Sequence, residues 1–231
     1  MPQSRGPTQR HNMKNLMPIA DIKKLEKLEI IYMPGNPRSY RLDLGKGVLN
    51  LEGRNQVTKP GEPFKVIPVA FRCLQDGLFG QPEKKWCEVY FLNELGNLCV
   101  FMFHGFSVQN LSESARDLFY EKCKLTEAVW TVSLEKKQNK EGQSYYMAFF
   151  GFEPLKGKEL KAHQEKIIDI EATFFHIYRA DTMEAKTLFF ENYSTHLEPT
   201  RAEIEAEKER QAGLLREFAT REEKEKMAEA A

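Results

Sequence analysis

The chain has 231 residues, of which 41% are hydrophobic and 29% are charged, and this composition is typical of a soluble globular protein. Its 34 basic and 34 acidic side chains cancel, so net charge gives no argument for a nucleic-acid partner. No apolar run of about 18 residues occurs, and the four separated cysteines favour free thiols. We therefore expect a cytoplasmic protein without a membrane span.

The N-terminal part is predicted to lie outside the main domain. Residues 1–18 are polar, and their basic side chains are unopposed by acids, so we expect a disordered basic arm. Ile22, Leu25 and Leu28 recur at helical spacing, which predicts an amphipathic helix within residues 19–31, docked on the domain or on a partner. The prolines and glycine of residues 33–37 end it, and a linker continues to residue 39.

Residues 40–154 are predicted to form the main domain. Residues 40–51 alternate only in part, so they are either one bulged strand or a hairpin. Pro68 lacks an N–H group, so its strand should lie at an edge or carry a bulge. From residue 64 to 152 the pattern predicts strands at 64–71, 86–92, 98–104, 128–135 and 144–152, with a helix at 112–122 after the third. This order is typical of the OB-fold, a five-stranded Greek-key barrel that often binds single-stranded nucleic acid.

Residues 155–231 are predicted to form a helical C-terminal region. Helical spacing favours a helix at residues 164–179, with a strand as the alternative. A capping signature at Asp181 predicts another helix that buries Leu188, Phe189 and Tyr193, and a third, solvated helix should follow from Thr200. The complete expectation is an α+β protein: an OB-fold-like barrel with an added N-terminal helix and a helical C-terminal region.

Positive charge gathers in the two predicted loops that frame the binding face of an OB-fold. The loop at residues 72–85 joins the first two strands, and the loop at residues 136–143 joins the last two. Such loops attract phosphates, and exposed rings stack bases with about 1–3 kcal/mol each. Lysine-rich hairpin loops also occur simply for solubility, so the lysines alone do not decide the function.

Alternation along the strands selects the rings most suited to stacking. Trp86, Glu88 and Tyr90 share one face, and Glu88 indicates that this face touches solvent. Tyr145 adjoins the second basic loop. Aromatic residues in strands are more often buried. Glu88 beside Trp86 and Tyr90, and the basic loop beside Tyr145, favour exposure of these three rings. The predicted nucleic-acid-binding residues are Arg72, Phe79, Lys84, Lys85, Trp86, Tyr90, Lys136, Lys137, Lys140 and Tyr145.

Catalytic patterns are weaker. Asp117 with Glu135 and Lys136-Lys137 imitates the Asp and Glu-x-Lys of restriction-type nucleases, which coordinate Mg²⁺ from adjacent strands. Asp117 falls in a predicted helix, which argues against that site. The histidines are scattered without a zinc-binding spacing, and no GxSxG motif occurs. We therefore expect no enzymatic activity, no metal and no cofactor, with a metal-dependent nuclease as the weakest alternative.

The stretch from Trp86 to Phe152 resembles phage-type single-stranded DNA-binding proteins built on an OB-fold. WCEVYFLNELGNLCVFMFHGFSVQNL, a helix, TVSLEKK, a polar loop and YYMAFF follow one another as they do in that family. The resemblance implies sequence-tolerant coating of single-stranded DNA in replication or recombination, in the host cytoplasm if the chain is phage-encoded. It implies groove roles for Lys84, Lys85, Trp86, Tyr90, Lys136, Lys137 and Tyr145.

The C-terminal segment departs from that family. Many members end in an acidic tail with an apolar tip, whereas this chain ends in the mixed-charge sequence KEKMAEAA. A helix for partner docking or self-association suits this segment better. The alternative function is therefore a non-catalytic protein–protein interaction module that uses the C-terminal helices.

Overall fold

The computed structural model describes residues 16–139, 141–174 and 177–193. Most of the predicted basic arm and the whole predicted helix after Thr200 lie outside the described residues. The end of the arm is nevertheless ordered, contrary to prediction, because Leu16 is buried and Pro18 forms a β-bridge with Asn93.

The described residues form a mixed α+β fold dominated by β-structure. The helices are α1 (Ile22–Leu25), α2 (Phe106–Ser114), α3 (Arg116–Tyr120) and α4 (Gly157–Phe174). The strands are β1 (Arg38–Asp43), β2 (Val48–Leu51), β3 (Asn55–Gln56), β4 (Phe64–Val66), β5 (Pro68–Asp76), β6 (Lys84–Leu92), β7 (Leu98–His104), β8 (Ala128–Gln138), β9 (Ser144–Pro154) and β10 (Lys186–Glu191). None of the helices in this part of the chain is long and apolar enough to cross a membrane.

The strands form two sheets that share one bent stretch of chain. A seven-stranded sheet has the order β10-β5-β6-β7-β1-β2-β3, and a three-stranded sheet has the order β4-β8-β9. β4 and β5 are separated only by Ile67, so the chain passes from the small sheet to the large one at this point. The register shifts between Pro68 and Ala70, which confirms the irregularity expected at Pro68.

The sheets do not close into a hydrogen-bonded barrel within the described residues. The stretch 40–51 is a hairpin, one of its two predicted alternatives, and lies between β7 and β9. β1 pairs in parallel with β7, and Tyr146 N on β9 donates to Leu44 O at 2.7 Å. The predicted succession of strands and helix is followed in part: the predicted first strand is divided into β4 and β5, the helix is divided into α2 and α3, and the two sheets hold more strands than the five predicted.

Apolar side chains pack on both faces of the seven-stranded sheet. On β6, Cys87, Val89 and Phe91 face a core enclosed between the two sheets. Tyr90 on the opposite face belongs to a second core, built with residues of α1, α4 and the segment 177–193. The sheet is therefore covered on both faces.

Hydrogen bonds to the β6–β7 hairpin replace much of the predicted helix at residues 19–31. Ile19 N donates to Leu92 O and Ile31 N donates to Gly96 O, each at 2.9 Å. Only Ile22–Leu25 is helical, and Asp21 caps it by accepting a hydrogen bond from Lys23 N.

The helix predicted from Asp181 is wrong. Residues 180–182 form a short 3₁₀ turn, and β10 pairs with β5 in its place. Leu188 and Phe189, predicted to be buried, are 43% and 48% exposed, whereas Tyr193 is buried as expected. Threonine and aromatic side chains favour an extended strand here, and β5 supplies the hydrogen-bonding edge.

α4 is anchored by a buried histidine. His163 Nε2 lies 2.8 Å from Thr126 O and 3.1 Å from Pro68 O, so this nitrogen carries the proton and donates. Nδ1 has no hydrogen-bond partner in the described part of the chain. Burial lowers the pKa of His163, although the carbonyl contacts and the nearby Glu127 oppose this shift. The folded protein therefore favours the neutral ring.

Acid should destabilise the protein partly through His163. Below about pH 6.5 the His163 ring of the unfolded chain binds a proton, whereas the lowered pKa in the folded protein keeps the ring neutral. The free energy of unfolding therefore decreases as the pH falls from about 6.5 to the folded-state pKa, by at most about 1.4 kcal/mol per pH unit. His163→Gln keeps an N–H donor without the titration, and we expect urea unfolding between pH 5 and 7 to show a shallower decline. His104→Gln is the control, because His104 also has a lowered pKa but is only partly buried. An identical decline in wild type and H163Q would contradict the assignment.

Candidate nucleic-acid interface

The first predicted loop is shorter than expected, since β5 and β6 extend to leave only residues 77–83 between them. Phe79 and Trp86 lie with ring centroids 5.7 Å apart, and Lys84 Nζ is 5.1 Å from the Trp86 ring. The structure thus brings these three predicted residues together. Trp86 is nevertheless only 4% exposed, and its Nε1 donates to Asp76 O at 3.1 Å. This corner presents Phe79 and Lys84 to solvent, not the Trp86 ring.

Arg72 is buried and cannot serve as a surface cation. Its Nε donates to Thr187 Oγ1 at 2.8 Å, and its Nη2 donates to Ala185 O at 2.8 Å. Its Nη1 donates to Thr182 O at 3.0 Å and to Tyr193 Oη at 3.1 Å. The guanidinium therefore ties the β-sheet to the segment that follows α4.

The face of Glu88 and Tyr90 is also buried, which corrects the prediction that it touches solvent. Glu88 accepts hydrogen bonds from Thr182 Oγ1 at 2.6 Å and Tyr90 Oη at 3.1 Å. Arg72 and Arg179 lie 3.7 and 3.9 Å from its carboxylate. Burial raises the pKa of the Glu88 carboxyl, and these partners oppose that shift. Glu88 finds its hydrogen-bond and ion-pair partners beneath residues 177–193. A charged residue in an alternating strand therefore gave no sign that its face is buried.

The second predicted group is partly assembled. Lys136 and Lys137 lie on β8, directly opposite Tyr146 and Tyr145 on β9. Lys137 Nζ is 4.8 Å from the Phe149 ring and 2.8 Å from a Glu135 carboxylate oxygen. Lys140 lies outside the described residues. This second group lies beside the β1–β2 turn, where Tyr146 N donates to Leu44 O. The first group lies at the loop between β5 and β6, so the two groups sit beside different loops.

A groove of ≈ 960 Å³ opens beside the core enclosed by the two sheets. One wall comes from α2 and α3 and the other from β5, β6 and β10. We call it the α2–α3 groove; its lining includes Phe71, Cys73, Lys85, Val108, Arg116, Phe119, Tyr120, Cys123, Leu188, Phe189 and Glu191. Of the predicted interface residues, Lys85 lines this groove.

The groove contains strongly exposed rings. Phe119 and Tyr120 are 77% and 74% exposed, and Phe189 on the opposite wall is 48% exposed. The Phe119 and Tyr120 rings meet edge to face with centroids 5.8 Å apart. A concave surface with several accessible rings can stack planar ligands.

Charge in the groove favours an anionic ligand. Lys85 and Arg116 are exposed cations in the lining. The lining carboxylate, Glu191, accepts hydrogen bonds from Leu125 N at 3.2 Å and Thr126 N at 2.9 Å, which fixes its position. Asp117 lies on α3 but does not line the groove.

Sequence reasoning missed these rings because the predicted helix is broken. A continuous helix at 112–122 would place Leu111, Ala115, Leu118 and Phe119 on one face. The structure instead ends α2 at Ser114 and restarts at Arg116, so Leu118 is buried while Phe119 points outward. The available signal was the run Leu118-Phe119-Tyr120, because successive helical residues point about 100° apart and three in a row cannot all face one core.

No protein-family model, curated protein or solved structure matches this chain. The functional argument for this chain therefore comes from the residues that line the α2–α3 groove.

Among the residues that the structure describes, none form a metal site for the nuclease alternative. Within the described residues, no three His, Cys, Asp or Glu side chains gather where they could hold an ion. Asp117 is exposed on α3, and the carboxylate of Glu135 pairs with Lys137 on β8.

Proposed function

We propose that this chain binds single-stranded DNA without sequence preference or catalysis, in the α2–α3 groove. The observation that carries the proposal is the exposure of Phe119 and Tyr120 in a concave surface that also contains Lys85 and Arg116. The rings stack bases, which every sequence offers, while the cations attract phosphates. The proposed interface therefore differs from the Trp86–Tyr90 face, which residues 177–193 cover.

An OB-fold-like architecture is the second part of the proposal. It is supported by the bent stretch β4–β5, which pairs with β6 in one sheet and β8 in the other. In this interpretation the β1–β2 hairpin is an N-terminal addition that pairs with β7 and widens a five-stranded Greek-key unit. A role in replication or recombination, in the host cytoplasm for a phage-encoded chain, rests on the resemblance to phage-type proteins.

The alternative of an interaction module depends mainly on residues beyond Tyr193, outside the described residues. α4 directs Ile167 and Ile170 into the second core, so these two side chains are not accessible to a protein partner. The groove favours the DNA-binding proposal.

Removing the two exposed rings tests the proposal. Phe119→Ala/Tyr120→Ala should weaken binding of a fluorescein-labelled poly-dT oligonucleotide at least about tenfold, because each stacked ring contributes about 1–3 kcal/mol. Fluorescence anisotropy at two salt concentrations measures this, and affinity should fall with salt in both proteins. Lys85→Ala/Arg116→Ala should instead reduce the salt dependence, since fewer counterions are released.

Lys136→Ala/Lys137→Ala is the matched surface control, because it removes two cations from the β8–β9 hairpin and leaves the groove intact. We expect it to bind more tightly than the ring variant. Normal binding by the ring variant, with loss in the hairpin variant, would move the interface to the hairpin. Absence of binding by the wild-type protein at low salt would reject the function.

A further inference from the structure

Two cysteines face each other across neighbouring strands at the α2–α3 groove. Cys73 on β5 and Cys87 on β6 are directly opposite in the antiparallel register, and their Sγ atoms lie 2.7 Å apart. Both are free thiols. A disulfide usually joins Cα atoms about 4.4–6.8 Å apart, and opposed residues of antiparallel strands lie within about 4.5–5.5 Å. The sheet therefore already holds this pair in a suitable arrangement for a bond.

The two thiols differ in their access to reagents. Cys73 is partly exposed and lines the groove, so it is the member of the pair that a small molecule in solvent would reach. Cys87 is fully buried in the core between the sheets, and burial raises the pKa of its thiol. A reagent should thus react with Cys73 first, and Cys87 can react only with a group already bound to Cys73.

The other cysteines lack this pairing. Cys99 Sγ lies 3.2 Å from Asn97 O, and Cys123 Sγ lies 3.5 Å from Lys124 O. Cys123 also lines the groove, but burial and the nearby Glu127 raise the pKa of its thiol, so it offers little thiolate for exchange.

We propose that Cys73 and Cys87 form a thiol pair that exchanges with small-molecule disulfides and becomes an internal β5–β6 disulfide. The Cys73 thiolate attacks one sulfur of the small disulfide, whose S–S bond breaks and releases one thiolate. Cys87 then gives up its proton and attacks Cys73 Sγ in the mixed disulfide, releasing the second small thiol. Two protein thiols are oxidised and one small disulfide is reduced to two thiols, so atoms and electrons balance. This chemistry does not require the proposed DNA binding, although Cys73 lines the same groove.

Oxidised glutathione is the probe. The folded full-length protein is incubated with it, then unfolded in urea together with an alkylating reagent, and the intact mass is measured. We expect a protein with two alkyl groups, on Cys99 and Cys123, and two hydrogen atoms fewer than the sequence mass plus those two groups. Trypsin leaves Cys87 and Cys99 on one peptide, because no Lys or Arg separates them. Chymotrypsin, which cleaves at Tyr90 and Phe91, resolves which one is linked to Cys73.

Variants separate the two roles. Cys87→Ser should accumulate one glutathionyl group on Cys73, whereas Cys73→Ser should leave Cys87 unmodified. Cys123→Ser should form the internal disulfide as the wild type does. A Cys73–Cys123 link, or wild-type protein that keeps all four thiols, would overturn the proposal. The wild-type peptide map decides the matter even if a variant does not fold.

Discussion

Arg72→Ala is expected to lower the free energy of unfolding by about 3–5 kcal/mol, because it leaves the buried Glu88 carboxylate without its nearest cation. The side chains of Arg72 and Glu88 are 1% and 0% exposed, so water cannot replace the lost partner. The variant also loses the hydrogen bonds that hold Thr182 and Ala185 over the sheet. Urea denaturation followed by tryptophan fluorescence measures the change.

An exposed ion pair supplies the control for Arg72. Lys65 Nζ lies 3.0 Å from Glu153 Oε1, and both side chains are largely exposed. Lys65→Ala should therefore cost no more than about 1 kcal/mol. The double variant Arg72→Met/Glu88→Leu removes both buried charges and should recover part of the loss. If Arg72→Ala and Lys65→Ala cost the same, Arg72 does not anchor the C-terminal segment.

Trp130→Ala is expected to cost about 3–5 kcal/mol, since it removes the largest fully buried side chain of the described residues and leaves a cavity. The Trp130 ring lies 5.7 Å from Phe71 and 5.4 Å from Phe152, centroid to centroid. Its Nε1 donates to Leu125 O at 2.8 Å. The substitution thus weakens the core that joins the two sheets, and thermal or urea unfolding measures the loss.

Two comparisons separate packing from hydrogen bonding at Trp130. Trp130→Phe keeps most of the apolar volume but leaves Leu125 O without its donor, so its cost should be smaller. Phe119→Ala removes an exposed ring and should change stability by less than about 0.5 kcal/mol. Similar losses for W130A and F119A would contradict the assignment of Trp130 to the core.

Local patterns predicted the strands better than the surfaces. Alternating apolar residues and turn chemistry placed the hairpin of β6 and β7 and the strands β8 and β9 close to their observed bounds. The same alternation assigned Glu88 to a solvent-exposed face. It failed there because burial of a charged residue depends on partners far along the chain, such as Thr182 and Arg179.

The candidate site was predicted only in fragments. Lys137 and Tyr145 are opposite each other, as neighbouring strands require, and Lys85 lines the groove. Phe119 and Tyr120 were missed because the helix breaks near Ala115 and changes the direction of its side chains. β10 was assigned to a helix, since its pairing with β5 depends on a strand more than 100 residues earlier in the chain.

The amino-acid sequence by itself determined the α+β class, the order of the elements between Phe64 and Pro154 and the irregularity at Pro68, because these follow from side-chain periodicity and backbone chemistry over short stretches. Only the tertiary structure decided which surfaces remain accessible. It covered Trp86 and Tyr90 with residues 177–193 and opened the α2–α3 groove, because exposure depends on which distant segments a sheet face or a helix packs against.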